Sequence, residues 1–371
     1  MDRSKWEYKM FEDCIEKSKK TRQLMTSDYQ SEGLYPIISQ ESSLISGYTN
    51  DFDFVNHFNS PVVIFGDHTR VLKYVDFDFA VGADGVKILI PKNGLNAKFL
   101  LNYLLWYKVP NLGYSRHYKL LKDISVPFPP IADQQRIVAE LDSLNEMIAL
   151  KQEQLKEFDK LAQSIFYDMF GDPVTNEKGW KQCILKDVTT NITDGDHMPP
   201  PKSETGIPFV TISNVNKEVG QIDFSDTFFV PQEYYDNIPD SKKPQVGDVL
   251  YTVTGSYGIP ILIKGNKKFC FQRHIGLIRP ISKINSMFLY SWAGCQSVKR
   301  YADRVATGVA QKTVSLKALR FFPIPLPPLS LQQQFAEKIA AIEAQKELVK
   351  QSIAETQKLL DYTMDKYFGY D

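Results

Sequence analysis

The sequence VPFPPIADQQRIVAEL at residues 126–141 returns as IPLPPLSLQQQFAEKI at residues 324–339, which is 198 positions later. The same offset places Phe170-Gly171 on Phe368-Gly369 without a gap. A repeat this long is typical of a duplicated structural unit, because each copy must satisfy the same packing and hydrogen bonding. The sequence therefore predicts two like halves.

Two further anchors lie upstream of this motif in each half. WEYKMFEDC at 6–14 matches WKQCILKDV at 180–188, an offset of 174 residues, and VKILIP at 86–91 matches IGLIRP at 275–280, an offset of 189. The anchors keep their order, so the extra residues of the second copy enter inside its globular part.

Each copy begins with about 125 to 155 residues in which short apolar runs are separated by Gly, Pro, Asn and Asp, a pattern typical of strands and turns. The clearest runs are PVVIFG (61–66), VKILIP (86–91), DVLYTV (248–253) and IGLIRP (275–280). A short helical pattern lies inside each copy, near Ala97–Trp106 and Ser286–Tyr301. We predict an α+β fold with two mixed, mainly β domains.

Each copy ends with about 40 residues that contain no Gly or Pro and follow a proline-rich stop, which predicts a long helix. Apolar residues alternate at steps of three and four, as in a coiled-coil seam. In the first helix these residues are Ile137, Leu141, Leu144, Ile148, Leu155, Phe158, Ala162, Ile165 and Met169. In the second they are Phe335, Ile339, Ile342, Val349, Ile353, Leu360 and Tyr367. Polar residues interrupt the seams at Lys151, Lys346, Thr356 and Thr363, and such interruptions can fix the pairing register.

Two equivalent halves in one chain can pair with each other about a pseudo-two-fold axis, in which case the two helices run antiparallel as a coiled coil. The alternative is that each helix pairs with a second copy of the chain. The predicted segments are a first β-rich domain at 1–130, a helix at 131–170, a second β-rich domain at 171–328 and a helix at 329–371.

The composition indicates a globular protein with more than one domain, since 371 residues with 43% hydrophobic content exceed one ordinary core. No signal sequence or stretch long and apolar enough for a membrane span occurs, so we expect no membrane association and a cytoplasmic location. The four cysteines form no CxxC pair, which favours reduced and mostly buried thiols.

The net charge of zero conceals a strong asymmetry. Residues 242–320 contain fourteen Lys or Arg and two acids, whereas residues 171–241 contain five basic and twelve acidic side chains. A basic block of this size beside aromatic residues indicates a surface that faces phosphates. The alternative is a basic face that meets an acidic protein partner.

The paired motif, Pro-Pro followed after three residues by Gln-Gln and a long helix, resembles the sequence that type I restriction-modification specificity subunits carry twice. The resemblance spans essentially the whole chain. It implies two target-recognition domains that each read one half of a split, asymmetric DNA site, and helices that act as spacer and docking surface. It also implies double-stranded DNA, two methyltransferase subunits and restriction subunits as partners. S-adenosylmethionine, ATP and magnesium are expected on those partners, with no cofactor or metal in this chain.

No catalytic motif is found, which agrees with a non-catalytic role. The Pro-Pro pairs lack the preceding Asn or Asp and the following aromatic of an amino-methyltransferase, and no GxxxxGK[ST] phosphate loop is found. PDSKK at 239–243 could suggest a nuclease, but a surface turn is favoured because few acids follow. Asp194, Asp196 and His197 could suggest a metal site, but a polar loop is favoured without a second His cluster.

DNA sequence is read by side chains that reach base edges, so loop residues with flat or bidentate heads are the candidates. In the second half the candidates are Asp194, Gly195, His197, Ser256, Tyr257, Arg273, His274, Arg304, Gln311 and Lys312. The TDGDH and GVAQ segments resemble recurrent features of the family's recognition domains. In the first half the candidates are Lys19, Lys20, Arg22, His68, Thr69, Arg70, Tyr114, Ser115, Arg116 and His117.

Two other functional classes remain open at this point. A standalone endonuclease would cleave DNA with magnesium and no partner, and a helical scaffold would assemble proteins without binding nucleic acid. The basic block disfavours the scaffold.

Overall fold

The computed structural model describes residues 3–17, 21–113, 115–217, 220–309 and 311–369. The chain forms two compact units: unit 1 comprises residues 1–152 and 350–371, and unit 2 comprises residues 153–349. The boundaries fall inside the two long helices, whereas the predicted segments divide the chain at the helix ends. Each long helix therefore contributes one part to each unit.

Unit 1 is built from short strands and a few helices. Its strands are β1 (Glu7–Met10), β2 (Ile15–Glu16), β3 (Tyr35–Ile38), β4 (Gly47–Thr49), β5 (Val55–Asn56), β6 (Val62–Gly66), β7 (Leu72–Val75), β8 (Phe79–Val81), β9 (Val86–Pro91) and β10 (Ser125–Phe128). Its helices are α1 (Phe11–Cys14), α2 (Ala97–Tyr107), α3 (Tyr118–Leu121) and α4 (Ile131–Phe170), the last of which continues into unit 2.

Among the described residues of unit 1, the strands form three sheets. One has the order β2-β9-β6-β7, a second has the order β4-β3-β8-β5, and β1 pairs with β10. The first sheet is antiparallel, and the second contains one parallel pair, β3 with β8. Helix α2 packs on the first sheet, with Phe99, Leu100 and Tyr103 in the same buried cluster as Val63 and Leu89.

Unit 2 repeats this plan with longer connections. Its strands are β11 (Lys181–Ile184), β12 (Thr189–Asp194), β13 (Ile207–Val210), β14 (Val215–Asn216), β15 (Gln221–Ile222), β16 (Phe228–Val230), β17 (Val249–Thr252), β18 (Pro260–Leu262), β19 (Cys270–Phe271), β20 (Ile275–Pro280) and β21 (Pro323–Leu326). Its helices are α5 (Gln232–Asn237), α6 (Ser286–Ala293), α7 (Gln296–Val305), α8 (Leu316–Arg320) and α9 (Leu329–Phe368), the last of which continues into unit 1.

Two of the sheets of unit 2 match those of unit 1 strand for strand, whereas the sheet β16-β13-β19 has three strands and β14 pairs separately with β15. The order β12-β20-β17-β18 corresponds to β2-β9-β6-β7, and the pair β11-β21 corresponds to β1-β10. The parallel pair β13 with β19 corresponds to β3 with β8. The duplication predicted from the three sequence anchors is thus present in the hydrogen-bonded topology of each unit.

The long helices run antiparallel within unit 1. Lys151 Nζ donates to Thr356 Oγ1 at 2.8 Å, and the Tyr367 hydroxyl donates to Glu140. Residue numbers rise along α4 as they fall along α9, as the pseudo-two-fold prediction requires. Lys151 and Thr356, the polar residues that interrupt the two apolar seams, are therefore hydrogen-bonded to each other.

The same antiparallel pairing is found within unit 2, where Lys346 Nζ donates to Asp159 at 2.6 Å and the Phe166 and Phe335 rings lie 5.6 Å apart. The predicted seam is wrong at the end of α4. Phe166 and Phe170 are buried there, whereas Ile165 and Met169 are only half-buried. The seam moves by one residue because Phe288 of α6 packs against both phenylalanines.

The first glutamine of each Gln-Gln pair is fully buried and fastens the start of a long helix to its unit. Gln134 accepts a hydrogen bond from Asn96 N and donates to the carbonyls of Gly94 and Pro129. Gln332 makes the equivalent bonds to Asn285 N, Lys283 O and Pro327 O. Asn96 and Asn285 are the N-caps of α2 and α6. The repeated motif is therefore a side-chain clamp between two helix starts.

The remaining predictions about secondary structure hold with two changes. Of the prolines before each helix, Pro127, Pro323 and Pro325 lie in the short strands β10 and β21, where a missing N–H is tolerated, and the two Pro-Pro pairs follow those strands. The helical pattern predicted for Ser286–Tyr301 is two helices, because the chain turns at Gly294 and Cys295. Among the helices of the described ranges, none combines the length and apolar character that a bilayer crossing requires.

Candidate nucleic-acid interface

One edge of the four-stranded sheet of unit 2 gathers most of the predicted DNA-reading loops. Strand β12 ends at this edge where β20 begins, with Asp194 paired to Gly276. Strand β17 ends at the same edge, with Thr252 paired to Ile275. The loops after β12 and β17 and the loop before β20 are therefore neighbours.

The loop after β12 is fixed to the chain before β20 by backbone hydrogen bonds. Asp196 N donates to Phe271 O at 2.9 Å, and Arg273 N donates to Asp196 O at 3.0 Å. At Gly195 an added Cβ would lie 1.8 Å from Phe271 O, so only glycine fits. Gly195 is buried and serves this close approach, which places Asp194 and His197 beside Arg273 and His274.

The polar side chains of this loop have partners inside unit 2. The exposed His197 pairs with Asp194 at 2.9 Å, and the Tyr234 hydroxyl donates to Asp196 at 2.8 Å. Lys242 Nζ donates to the Gly195 carbonyl at 3.1 Å. These bonds support the polar-loop interpretation, and no group of three His, Cys, Asp or Glu suited to a metal occurs within the described ranges.

A second segment, residues 306–313, joins the same edge. Thr307 and Thr313 exchange both backbone hydrogen bonds, at 2.9 and 2.8 Å, and Gly255 N donates to Lys312 O at 3.0 Å. Gly308 has φ of +108°, and a Cβ there would lie 2.4 Å from Gln311 O. The described residues of this segment include the exposed Gln311 and Lys312, and Ser256 beside Gly255 is half-buried.

Tyr257 does not face solvent at this edge. Its side chain is buried, its hydroxyl donates to Asp303 at 2.8 Å, and Lys299 Nζ lies 3.5 Å from its ring centroid. The bond to Asp303 raises the pKa of the Tyr257 hydroxyl. Burial thus gives Tyr257 a structural role, whereas Arg304, whose guanidinium lies 5.3 Å from the Tyr301 ring, stays exposed.

The basic block of residues 242–320 is divided between structure and surface. Six of its fourteen basic side chains bond to groups of unit 2, namely Lys242, Lys243, Lys264, Arg279, Lys299 and Arg320. Arg279 makes a two-bond contact to Asp248, which is 2% exposed. Arg273 and Lys312 remain at the sheet edge. Burial lowers the pKa of His274 below its ordinary value, and the Arg273 charge lowers it further.

The matching edge of unit 1 gathers the predicted residues of the first half. Strand β6 ends at this edge where β9 begins, with Gly66 paired to Val86. The turn after β6 is held by Gln40, which accepts hydrogen bonds from His68 N and the Thr69 hydroxyl and donates to Asp84 O. Gln40 was missed in the sequence analysis, because nothing in its neighbourhood distinguishes a fastening amide from a solvated one.

His117 is fully buried and cannot present its ring to a duplex. Its Nε2 accepts a hydrogen bond from Leu112 N at 3.0 Å, and its Nδ1 lies 3.0 Å from the Asp67 carbonyl oxygen. The Nδ1 atom therefore carries the proton in this arrangement. The buried Asp67 carboxylate accepts from Tyr118 N. Because it is buried, His117 cannot belong to the proposed interface. Its ring instead connects Leu112 of the 109–116 loop to Asp67 through hydrogen bonds.

The other candidates of unit 1 lie around this loop. Arg116 is exposed and pairs loosely with Asp84 at 3.4 Å, and Ser115 is half-buried beside it. Arg70 has a left-handed backbone, with φ of 61°, and donates to Val109 O. Arg22 is exposed, 3.9 Å from Asp53. Lys19, Lys20 and Tyr114 lie outside the described residues.

Comparison with known sequences identifies the family. A family model described as the type I restriction modification DNA specificity domain matches residues 3–159 and again residues 177–358. The chain belongs to this family. The two matches confirm two specificity domains in one specificity subunit, and the family's role is DNA specificity, with the catalytic activities on partner subunits.

Similar proteins are named as type I restriction enzyme specificity subunits. The chain is 22% identical to the type I restriction enzyme MjaVIII specificity subunit of Methanocaldococcus jannaschii, covering 91% of this chain and 86% of the relative. It is 21% identical to the EcoR124I/EcoR124II specificity subunit of Escherichia coli, covering 92% and 89%.

Solved structures show the same fold. A crystal structure of the type I restriction-modification S subunit from M. genitalium superposes with a TM-score of 0.54 at 16% identity, covering 99% of this chain and 96% of that one. A chain from a study of complex assembly and conformational transition of the type I R-M system gives 0.57 at 17% identity, covering 98% and 97%. The predicted fold class is confirmed.

Proposed function

We propose that this specificity subunit reads a bipartite, asymmetric DNA site, with one half bound at the sheet edge of each unit. The observation that carries the proposal is that the candidate loops of both units lie at the same end of corresponding strands, β12, β17 and β20 in one unit and β6 and β9 in the other. Polar loops of both units therefore occupy equivalent ends of the two four-stranded sheets.

The side chains at the two edges suit base recognition but differ between the units. Gln311 can pair with adenine, Lys312 and Arg273 with guanine, and Asp194 with cytosine in the major groove. Unit 1 offers Arg116, Ser115, Thr69 and His68 instead. Because different donors and acceptors stand on equivalent frames, the two half-sites should differ in sequence.

Both units also present an equivalent apolar surface on the long helices. Leu150 and Leu359 in unit 1 are 64% and 51% exposed, and Leu348 and Leu161 in unit 2 are 57% and 47% exposed. Leu150 corresponds to Leu348 and Leu161 to Leu359 at the 198-residue offset. Exposed leucines repeated in this way favour one kind of partner bound twice. We assign these surfaces to two methyltransferase subunits.

The assembly would add the chemistry that this chain lacks. S-adenosylmethionine is proposed on the methyltransferase subunits, and ATP and magnesium are proposed for the restriction subunits. The complex would act on cytoplasmic DNA.

A domain exchange tests the reading function. Residues 171–325 are replaced by those of a related specificity subunit, the chain is co-expressed with its methyltransferase subunits, and the methylated sites are sequenced. One half of the recognised site should change and the other should stay. Unchanged sites would contradict the proposal, as would magnesium-dependent cleavage of DNA by the chain alone.

The docking surface is tested separately with Leu150→Glu and Leu348→Glu. Each single variant should retain one methyltransferase subunit and lose the other, as measured by native mass spectrometry of the complex. Two bound subunits in both variants would contradict the assignment.

A further inference from the structure

Each recognition edge carries an exposed apolar side chain on the segment that precedes α3 or α8. In unit 2 this is Val309, which is 106% exposed and therefore as open as in an extended peptide. In unit 1 it is Leu112, which is 46% exposed. An exposed apolar residue usually needs no explanation, but these two lie in corresponding segments of the two units.

The two residues belong to corresponding segments. Leu112 lies in the segment just before α3, and Val309 lies in the segment just before α8. Each has a glycine beside it with positive φ, Gly113 at 70° and Gly308 at 108°. Neither glycine conformation suits another residue. In both units a glycine with positive φ is thus adjacent to the exposed apolar residue.

Hydrogen bonds of described residues hold both segments to their units. The Thr307–Thr313 pair closes the loop that carries Val309. The buried His117 ring accepts the Leu112 N–H directly, at 3.0 Å.

The neighbours of Val309 indicate what it meets. Gln311 and Lys312 follow it in the same loop, and both suit the hydrogen-bonding edges of bases in the major groove. The apolar group on that surface is the C5-methyl of thymine. Valine branches at Cβ and is short, which suits contact with a methyl group.

We propose that Val309 contacts the C5-methyl group of a thymine in the half-site that unit 2 reads, and that Leu112 has the same role in the half-site of unit 1. The inference rests on the proposed function. It adds a specificity contact that hydrogen-bonding side chains alone do not supply.

The test uses the complex of the chain with its methyltransferase subunits and a DNA duplex whose site is defined by sequencing methylated DNA. Each thymine of the site is replaced in turn by deoxyuridine, which lacks only the methyl group. Dissociation constants are measured at one fixed salt concentration, since affinity for DNA depends strongly on salt.

For the wild-type complex, one deoxyuridine in the half-site of unit 2 should weaken binding by about three- to fivefold, the loss of one buried methyl group. Val309→Ala should weaken binding to the thymine duplex by a similar factor and cause no further loss on that deoxyuridine duplex. Leu112→Ala should behave in the same way with a thymine of the other half-site.

Val246→Ala is the matched control. Val246 is a 55% exposed valine of unit 2 that precedes β17, at the opposite end of that strand from the recognition edge. It should bind both duplexes as the wild type does, and a loss equal to that of Val309→Ala would overturn the proposal.

Three other results would overturn it: unchanged affinity in Val309→Ala, an equal loss on thymine and deoxyuridine duplexes at every position, or a half-site without thymine. Failure of the proposed function gives a different result, since the wild-type complex would then not prefer its own methylated site over unrelated DNA.

Discussion

Units 1 and 2 build the same sheet edge but fasten their recognition loops by different means. Unit 1 uses a buried side chain, His117, which bonds to Leu112 N and the Asp67 carbonyl. Unit 2 uses backbone pairing between Thr307 and Thr313 and between Gly255 and Lys312. The sheet therefore sets the position of each loop, while the hydrogen bonds that hold the loop differ between the units. This arrangement suits two domains that share a fold and read different DNA sequences.

The largest expected effect comes from breaking the buried ion pair of unit 2. Arg279 pairs with Asp248, whereas the residue that corresponds to Arg279 in unit 1 is Ile90. Arg279→Met leaves the Asp248 carboxylate without its charge partner and should reduce the stability of unit 2 by about 3–5 kcal/mol. Hydrogen exchange measured by mass spectrometry reports the opening of unit 2 separately from that of unit 1.

The double variant Arg279→Met with Asp248→Leu should recover much of this loss, because an apolar pair of similar volume often replaces a buried ion pair well. Lys243→Ala serves as a control, since its partner Asp240 is exposed and the pair contributes little. Equal exchange in Arg279→Met and the wild type would show that the ion pair does not distinguish the units.

The glutamine clamp, in contrast, should make the units alike. Gln134→Ala and Gln332→Ala each remove the same three hydrogen bonds from a buried site and should each destabilise their own unit by about 2–3 kcal/mol. Gln135→Ala and Gln333→Ala remove the exposed neighbours and should change little. Chemical denaturation of the four variants measures the effect, and a clearly unequal cost in the two units would break the equivalence.

Loss of the histidine fastening should affect only unit 1. His117→Ala frees the Leu112 N–H and should cost about 1–2 kcal/mol, with faster hydrogen exchange across residues 109–116. Exchange across residues 306–313 should stay unchanged, since backbone pairs hold that loop. If both loops respond equally, the two fastenings are not independent.

The smallest expected effects concern the rates at which the cysteine thiols react with iodoacetamide. Burial raises the pKa of Cys14 to about 11, and of Cys270 and Cys295 to about 12. Near pH 8 these groups hold very little thiolate, so iodoacetamide should modify the half-buried Cys183 first. Raising the pH increases the thiolate fraction and should speed all four reactions. Peptide mapping gives the order of modification, and reaction of Cys14 before Cys183 would indicate that unit 1 opens readily.

Much of the fold follows from the sequence because its strongest signals are local. The proline pairs at 129–130 and 327–328 end where α4 and α9 begin, and about 40 residues without Gly or Pro leave helix as the favoured state. The repeat offsets supplied the domain architecture, since corresponding strands must lie in corresponding sheets.

The details of the site depend on contacts between distant residues, which a single sequence does not show. In GYSRHYK, Arg116 and His117 are adjacent and equally polar, yet one is exposed and the other is enclosed by Asp67 and Leu112. Tyr257 is withdrawn by Asp303, 46 residues away. Six basic side chains of the charged block bond within unit 2, which only the folded structure reveals.

The sharing of each long helix between the units has a consequence for synthesis on the ribosome. The core of unit 1 includes Leu360, Tyr367 and Phe368, which are made after all of unit 2. The amino-terminal unit must therefore wait with part of its apolar interior unfilled while the chain after it emerges and folds. The first unit to be translated is the last to be completed.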